Sequence, residues 1–205
     1  MPTHSKTSRS KSVYSLHPGY AMEAASLVNL KERTGKTLED WVKIVKKSGP
    51  ETEKERREWL KSKHDITTNY AHWIVERAEG KGGAENYNPE ALVEAMFAGK
   101  KAALRPIYEA LLKLAFRLGK EVKACPGTTI VPLYRKHVFA QLKPSTLTRI
   151  DLGLALRNTP AQGKLLDTGG FAKKDRITHR IPISSGDEID GEVKRWLKAA
   201  YDLDA

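Results

Sequence analysis

The sequence predicts an α+β protein, an N-terminal helical module followed by an α–antiparallel β-sheet–α domain. Three observations predict it. Residues 16–118 read as amphipathic helices punctuated by Gly, Pro and capping Thr. Residues 121–183 read as short strands, and within them Arg149-Ile150-Asp151-Leu152-Gly153-Leu154 alternates strictly. That period of two puts Ile150, Leu152, Leu154 and Leu156 on one face, as a half-buried strand requires. Residues 185–205 return to helical spacing, with Ile189, Val193, Trp196, Leu197 and Ala200 on one side. Helices, then strands, then a helix is the element order of α+β folds.

The elements follow in order. After a Ser/Thr-rich basic arm, His17-Pro18-Gly19 opens a helix over residues 20–33, which Gly35 stops. Thr37, followed three residues later by Asp40, caps a helix bearing Leu38, Trp41, Val42 and Val45. Gly49-Pro50 ends it. Thr52 with Glu55 is a second capping box, opening a highly charged helix that runs to His64. A fourth helix covers residues 69–79. Gly80-Lys81-Gly82-Gly83 onward reads as a linker. It is not a phosphate-cradling loop, because no strand precedes it and no G-K-[ST] follows. Asn88-Pro89 caps the next helix and Gly99 closes it. In residues 103–118, Leu104, Ile107, Tyr108, Leu111, Leu112 and Ala115 form a continuous core stripe. Strands are predicted over residues 121–125, 129–134, 138–142, 148–156 and 178–183, the first four joined by short turns and therefore antiparallel. A glycine-bearing loop over residues 157–176 precedes the last strand, and Ser185 caps the final helix. The chain divides into a flexible basic arm (residues 1–15), a helical domain (16–79), a linker (80–88) and an α+β domain (89–205).

Composition narrows the function. The 205 residues are 40% apolar and 30% charged, ordinary for a folded protein in water. No apolar run approaches the roughly 18 residues of a membrane span. The first twelve residues lack a secretion signal's apolar core, so no membrane role and a cytoplasmic location are expected. A single cysteine, Cys125, forbids an internal disulfide and fits a reducing compartment. The net charge is +11, and it is uneven. Residues 123–180 hold 11 Lys/Arg against 3 acids, whereas residues 185–205 hold 6 acids against 3 bases. Such a local excess of cations suits phosphate-bearing partners, because each cation set on a phosphate releases counterions.

Two resemblances accompany these patterns. His17-Pro18, Leu30-Lys31, Thr34-Gly35-Lys36-Thr37-Leu38-Glu39 with Trp41, Gly49-Pro50, Trp59-Leu60-Lys61 and Tyr70-Ala71 resemble a small bacterial family of helical domains of unknown function, over residues 16–79. Its helical pairs are similar to helix–loop–helix modules that bind nucleic acid, an analogy of fold alone. Leu104-Arg105-Pro106-Ile107-Tyr108, Phe139-Ala140, Lys143-Pro144-Ser145-Thr146, residues 149–154, Thr178-His179-Arg180, Trp196-Leu197 and Ala200-Tyr201 resemble a second family of unknown function, over residues 102–201. Some of its relatives are labelled "predicted transport protein", a label the absence of an apolar span opposes. Others resemble frataxin-like α+β folds, which implies iron handling as one alternative. Neither resemblance supplies a catalytic residue.

The residues carry no reaction either. Cys125 stands before Pro126 with no His or Asn signature around it, and reads as a buried thiol. His137 and His179 lack a carboxylate cluster and read as polar members of the sheet's outward face, and no metal or cofactor is expected. Asp151 reads as the partner of Arg135 or Arg180 in a cross-strand ion pair. Glu188 and Asp190 read as complements to the dipole of the last helix. What remains is a cationic set: Arg135, Lys136, His137, Lys143, Arg149, Lys173, Lys174, Arg176, His179 and Arg180. Ser145 and Thr146 lie among them as hydroxyl donors to phosphate oxygens. Tyr134 or Phe139 is a candidate base-stacking ring, though at least one must belong to the core. The expected function is therefore non-enzymatic binding of nucleic acid, DNA or RNA, through a basic sheet face and the helical module. The alternative is a pocket for a small phosphorylated or anionic ligand in the C-terminal domain. Frataxin-like iron handling stands second to that, disfavoured by a surface poor in the carboxylates a hard cation needs. Oligomeric state leaves no mark on the sequence.

Overall fold

The computed structural model describes residues 12–205, and the basic arm predicted over residues 1–15 lies mostly outside them. The chain forms two compact units. One holds residues 16–88, and the other holds residues 89–205 together with the described residues 12–15.

The helical unit contains α1 (Gly19–Val28), α2 (Leu30–Thr34), α3 (Leu38–Ser48), α4 (Glu53–His64) and α5 (Thr68–Ala78). The helix predicted over residues 20–33 is broken at Asn29, whose backbone N–H folds back to Ser26 O at 3.1 Å. Gly35 ends α2 at φ 73°, a conformation that suits glycine. Both predicted capping boxes form: Thr37 with Asp40, and Thr52 with Glu55. Helix α5 packs against α3 and α4. The core is small, built on Leu30, Trp41, Val45, Leu60, Ile74 and Val75. Helix α1 inverts the usual pattern. Its buried residue is Glu23, paired with Arg77 at 2.7 Å, while Met22 and Val28 are exposed.

Residues 80–88, predicted as a linker, fold onto the helical unit. Lys81 N–H bonds to Glu76 O, Lys81 pairs with Glu53, and Asn86 Nδ2 donates to Gly82 O. Residues Ala84–Asn86 make a 3-10 turn, and the Tyr87 ring packs tilted against Tyr20 with centroids 5.3 Å apart. Glycines here let the backbone reverse at positive φ (Gly80, Gly82 and Gly83) rather than stay loose.

The second unit contains α6 (Pro89–Met96), a 3-10 turn (Gly99–Leu104) and α7 (Arg105–Phe116). Six strands follow: β1 (Lys123–Ala124), β2 (Val131–Tyr134), β3 (Val138–Pro144), β4 (Ile150–Leu154), β5 (Leu166–Asp167) and β6 (His179–Ile183). Helix α8 (Gly191–Asp202) closes the chain. The sheet is antiparallel in the order β1-β2-β3-β4-β6-β5. The helix predicted from residue 103 begins at Arg105, with Pro106 in its first turn and a 3-10 turn before it. Strand β5 was not predicted, being two exposed residues on the edge. Asp190, not Ser185, caps α8, its Oδ1 accepting the N–H groups of Glu192 and Val193.

Register sorts the faces. Leu133, Ala140 and Leu154 share a row, as do Val131, Leu142, Leu152 and Ile181. These rows are buried with the stripe of α7 and with Val193, Trp196, Leu197 and Ala200 of α8. The register shifts at Leu133/Tyr134, and Phe139 is buried in this core, 5.6 Å from Tyr201 in an edge-on arrangement. The arm's last residues belong here too: Ser15 N–H bonds to Ala124 O, and Tyr108 donates to the Tyr14 hydroxyl at 3.0 Å. Among the described residues, no helix is long and apolar enough to cross a membrane.

Candidate functional site

The face of the sheet turned away from the core carries Gln141, Lys143, Asp151, Gly153 and Arg180, as alternation along β3, β4 and β6 requires. Asp151 is its centre. Its carboxylate lies 2.9 Å from Arg149 Nε and accepts from Arg180 Nη1 at 3.0 Å, with Lys143 directly opposite on β3. The predicted partner Arg180 is therefore present, and Arg135 is not. The Arg149 contact is one of charge: Arg149 Nε and Asp151 Oδ1 are buried without an aligned hydrogen bond.

Arg135, Lys136 and His137 lie at one end of the sheet, in the β2–β3 hairpin. Arg135 is pinned: Nε meets Glu121 Oε1 at 3.1 Å, Nη1 donates to Tyr201 O, and the guanidinium sits 4.3 Å above the Tyr201 ring. Asp204 holds the hairpin, its Oδ2 accepting the backbone N–H groups of Lys136 and His137. Its Oδ1 lies 3.0 Å from His137 Nδ1 and also receives Arg176 Nη2. Burial would push the Asp204 carboxyl up, but the His137 backbone and ring and the Arg176 charge outweigh it and hold it below the usual range. Arg176 further donates to Val138 O at 2.8 Å. The Lys136, Lys173 and Lys174 side chains point to solvent.

His179 is a correction. It was predicted on the outward face, but it shares a row with Leu154 and is buried on the core side. Nε2 lies 2.8 Å from Thr159 O, a pure acceptor, so Nε2 carries a proton, and Nδ1 lies 2.8 Å from Thr178 Oγ1. Residue Phe139, offered as a stacking ring, is likewise core.

Lys143, Ser145 and Thr146 lie at the opposite end of β3. Ser145 donates weakly to Lys143 O, and Thr146 Oγ1 accepts the Thr148 N–H. Here Lys143 and Ser145 border a cavity of about 510 Å³ with Lys100, Lys101, Thr128 and Thr129. Lys101 Nζ donates to Pro144 O at 2.9 Å, and no acid among the described residues lines the cavity. Sequence reasoning missed Lys100, Lys101, Thr128 and Thr129. The dipeptide after Gly99 and the threonines before β2 were visible, but their meeting with Lys143 depends on the fold.

Six of the ten predicted cations thus fall into three groups, while Lys136, Lys173 and Lys174 stay in solvent and His179 in the core. Arg135, His137 and Arg176 are tied to Glu121 and Asp204. Arg149 and Arg180 are tied to Asp151. Lys143 with Ser145 borders the cavity. In the helical unit, Arg56, Lys61, Arg77 and Lys81 are paired with glutamates. Cys125 is fully buried, which pushes its thiol up to about 11. Among the described residues, no three His, Cys, Asp or Glu groups converge as a metal site would need.

Comparison with known proteins agrees with the two resemblances. Residues 12–80 match the family described as "Domain of unknown function (DUF4287)", and residues 93–204 match "Domain of unknown function (DUF5655)". No curated protein and no solved structure matches the chain. The second match spans more than half of the 205 residues, so the chain belongs to the DUF5655 family and carries a DUF4287-like helical domain ahead of it.

Proposed function

We propose that the C-terminal unit binds a phosphate-bearing ligand in the cavity at the far end of β3. One observation carries the reading: Lys100, Lys101 and Lys143 line a single cavity with the hydroxyls of Thr128, Thr129 and Ser145, and no acid among the described residues. Ammonium groups and hydroxyls are the donors that phosphate oxygens take. Lys100 and Lys143 have no ion-pair partner among the described residues, so their charge is available to a ligand. The arginines of the sheet do not offer this, since Glu121, Asp151 and Asp204 already neutralise them in part.

Nucleic acid as that ligand is a second reading, favoured by one feature. Lys143 belongs both to the cavity and to the outer face beside Arg149 and Arg180, so a phosphodiester chain has a cationic path to follow. Calorimetric titration of the full chain with pyrophosphate, a nucleoside triphosphate and a short single-stranded oligonucleotide tests both. Small-anion binding that weakens about tenfold or more in Lys143→Ala supports the cavity. Oligonucleotide binding with log K falling at a slope of about −3 against log salt supports the extended path. No binding by any of the three at low salt refutes the proposal.

A further inference from the structure

A second cavity lies at the other end of the sheet, with a different chemistry. It measures about 660 Å³, within the roughly 300–1,000 Å³ of small-molecule sites. Its lining is mainly apolar, and two of its large side chains, Phe171 at 52% and Leu203 at 39%, are exposed to solvent beside Ala155. Its rim carries three cations, Arg157, Lys174 and Arg176, against one acid, Asp175, and so keeps a cationic excess. Arg157 donates one Nη2 hydrogen to Leu203 O, and Arg176 is shared with Asp204 and Val138 O. Among the described residues, the Lys174 ammonium has no partner of this kind, and it stands beside the apolar floor.

The backbone adds an independent observation. Three non-glycine residues among those described have positive φ, and two of them, Arg157 (55°) and Lys174 (60°), are these rim cations. Neither is Asn or Asp, the side chains that tolerate this region best. Such conformations persist where the surroundings hold them, and they gather at ligand sites. The loop between β5 and β6 fixes Lys174 by bonds from its N–H to Phe171 O and from the Asp175 N–H to Gly170 O. The result is an exposed aromatic ring and an ammonium group on one braced turn.

We infer that this cavity is a binding site for a small apolar carboxylate, its hydrocarbon body against Phe171, Ala155 and Leu203 and its carboxylate at Lys174 and Arg157. The site does not depend on the phosphate cavity, which shares none of its residues.

Octanoate is the probe, titrated into the full chain by calorimetry, with octanol and a short peptide amide ending in leucine as comparisons. Octanoate is expected to bind at least tenfold more tightly than octanol, because octanol lacks the charge. Phe171→Ala is expected to weaken octanoate about tenfold. Lys174→Asn, which keeps a residue suited to positive φ, is expected to weaken it about fivefold or more. Both side chains are exposed, so the melting temperatures are expected to match the parent. Excess pyrophosphate is expected to leave octanoate binding unchanged, which separates failure here from failure of the phosphate reading. Equal binding of octanol, octanoate affinity unaltered in both variants, tighter binding of the peptide amide, or no octanoate binding at millimolar concentration would each overturn the assignment.

Discussion

Asp204 receives the backbone N–H of His137 at 2.8 Å, joining the last turn of the chain to the β2–β3 hairpin of the sheet. The carboxylate side chain is 2% exposed and is surrounded by donors: the N–H groups of Lys136 and His137, the His137 ring and Arg176. Asp204→Asn removes the charge and should lower stability by about 1–3 kcal/mol at neutral pH, as loss of a charged acceptor does. The folded carboxyl is held below its ordinary range, so its contribution is present above the unfolded value of about 3.9 and fades as pH falls through the lower folded value. The gap in melting temperature between parent and variant should therefore be constant above pH 5 and close below pH 4. A gap that widens in acid would contradict this account.

Asp151 works against the repulsion of its neighbours. Arg149 and Arg180 are each about a third exposed, so solvent screens the pairs and each is worth little. Asp151→Asn should cost about 1 kcal/mol and leave two arginines and Lys143 as an uncompensated cationic patch. Oligonucleotide retention at low salt should rise a few-fold. Weaker retention with an unchanged melting temperature would show instead that Asp151 organises a site.

The two capping boxes carry more than their share of a small helical unit. Thr37→Ala and Thr52→Ala each expose backbone donors of a first turn and should each cost about 1 kcal/mol. The residues are far apart in separate helices, so thermal unfolding of the double variant should show nearly additive losses. Thr67, which makes no side-chain cap bond, is the control: Thr67→Ala should change stability much less.

The Cys125 thiol should be inert. Burial and a thiol raised to about 11 leave a vanishing thiolate fraction at pH 8. Labelling by a thiol reagent should proceed only through unfolding, and its rate should rise steeply with added denaturant. Rapid labelling of the native chain would show an opening of the β1 edge that the packing does not explain.

What was legible in the sequence was whatever depends on neighbours along the chain. The capping boxes, the α7 stripe and the alternation of β4 all appear where local spacing puts them. The break at Asn29 carries no Gly or Pro to mark it within the helical spacing, and along residues 80–88 the glycine signal for a turn is the same whether the turn hangs free or folds back on Arg77 and Glu76. The site was less legible. His179 is one alternation step from Arg180, and the strict period of two places it inward, on the row of Leu154, whereas its polarity points outward. The cavity of Lys100, Thr128 and Lys143 joins three distant segments, and no local pattern encodes that meeting. Asp204 holds a hairpin 67 residues upstream, for the same reason invisible.

The attachment of Tyr14 and Ser15 to the sheet unit makes the helical unit an insertion rather than an appendage. The Tyr14–Tyr108 contact closes a loop of 94 residues, and most of that loop is the helical unit. For a disordered loop, the entropy lost on closure grows with the logarithm of its length. Local helical contacts form fast, whereas distant contacts form slowly. If the helical unit condenses first, its two ends are held by its own fold, and the effective loop shrinks to residue 15 and residues 89–107. A helical unit folded early shortens the loop that the Tyr14–Tyr108 contact must close, and so lowers the entropic cost of completing its host.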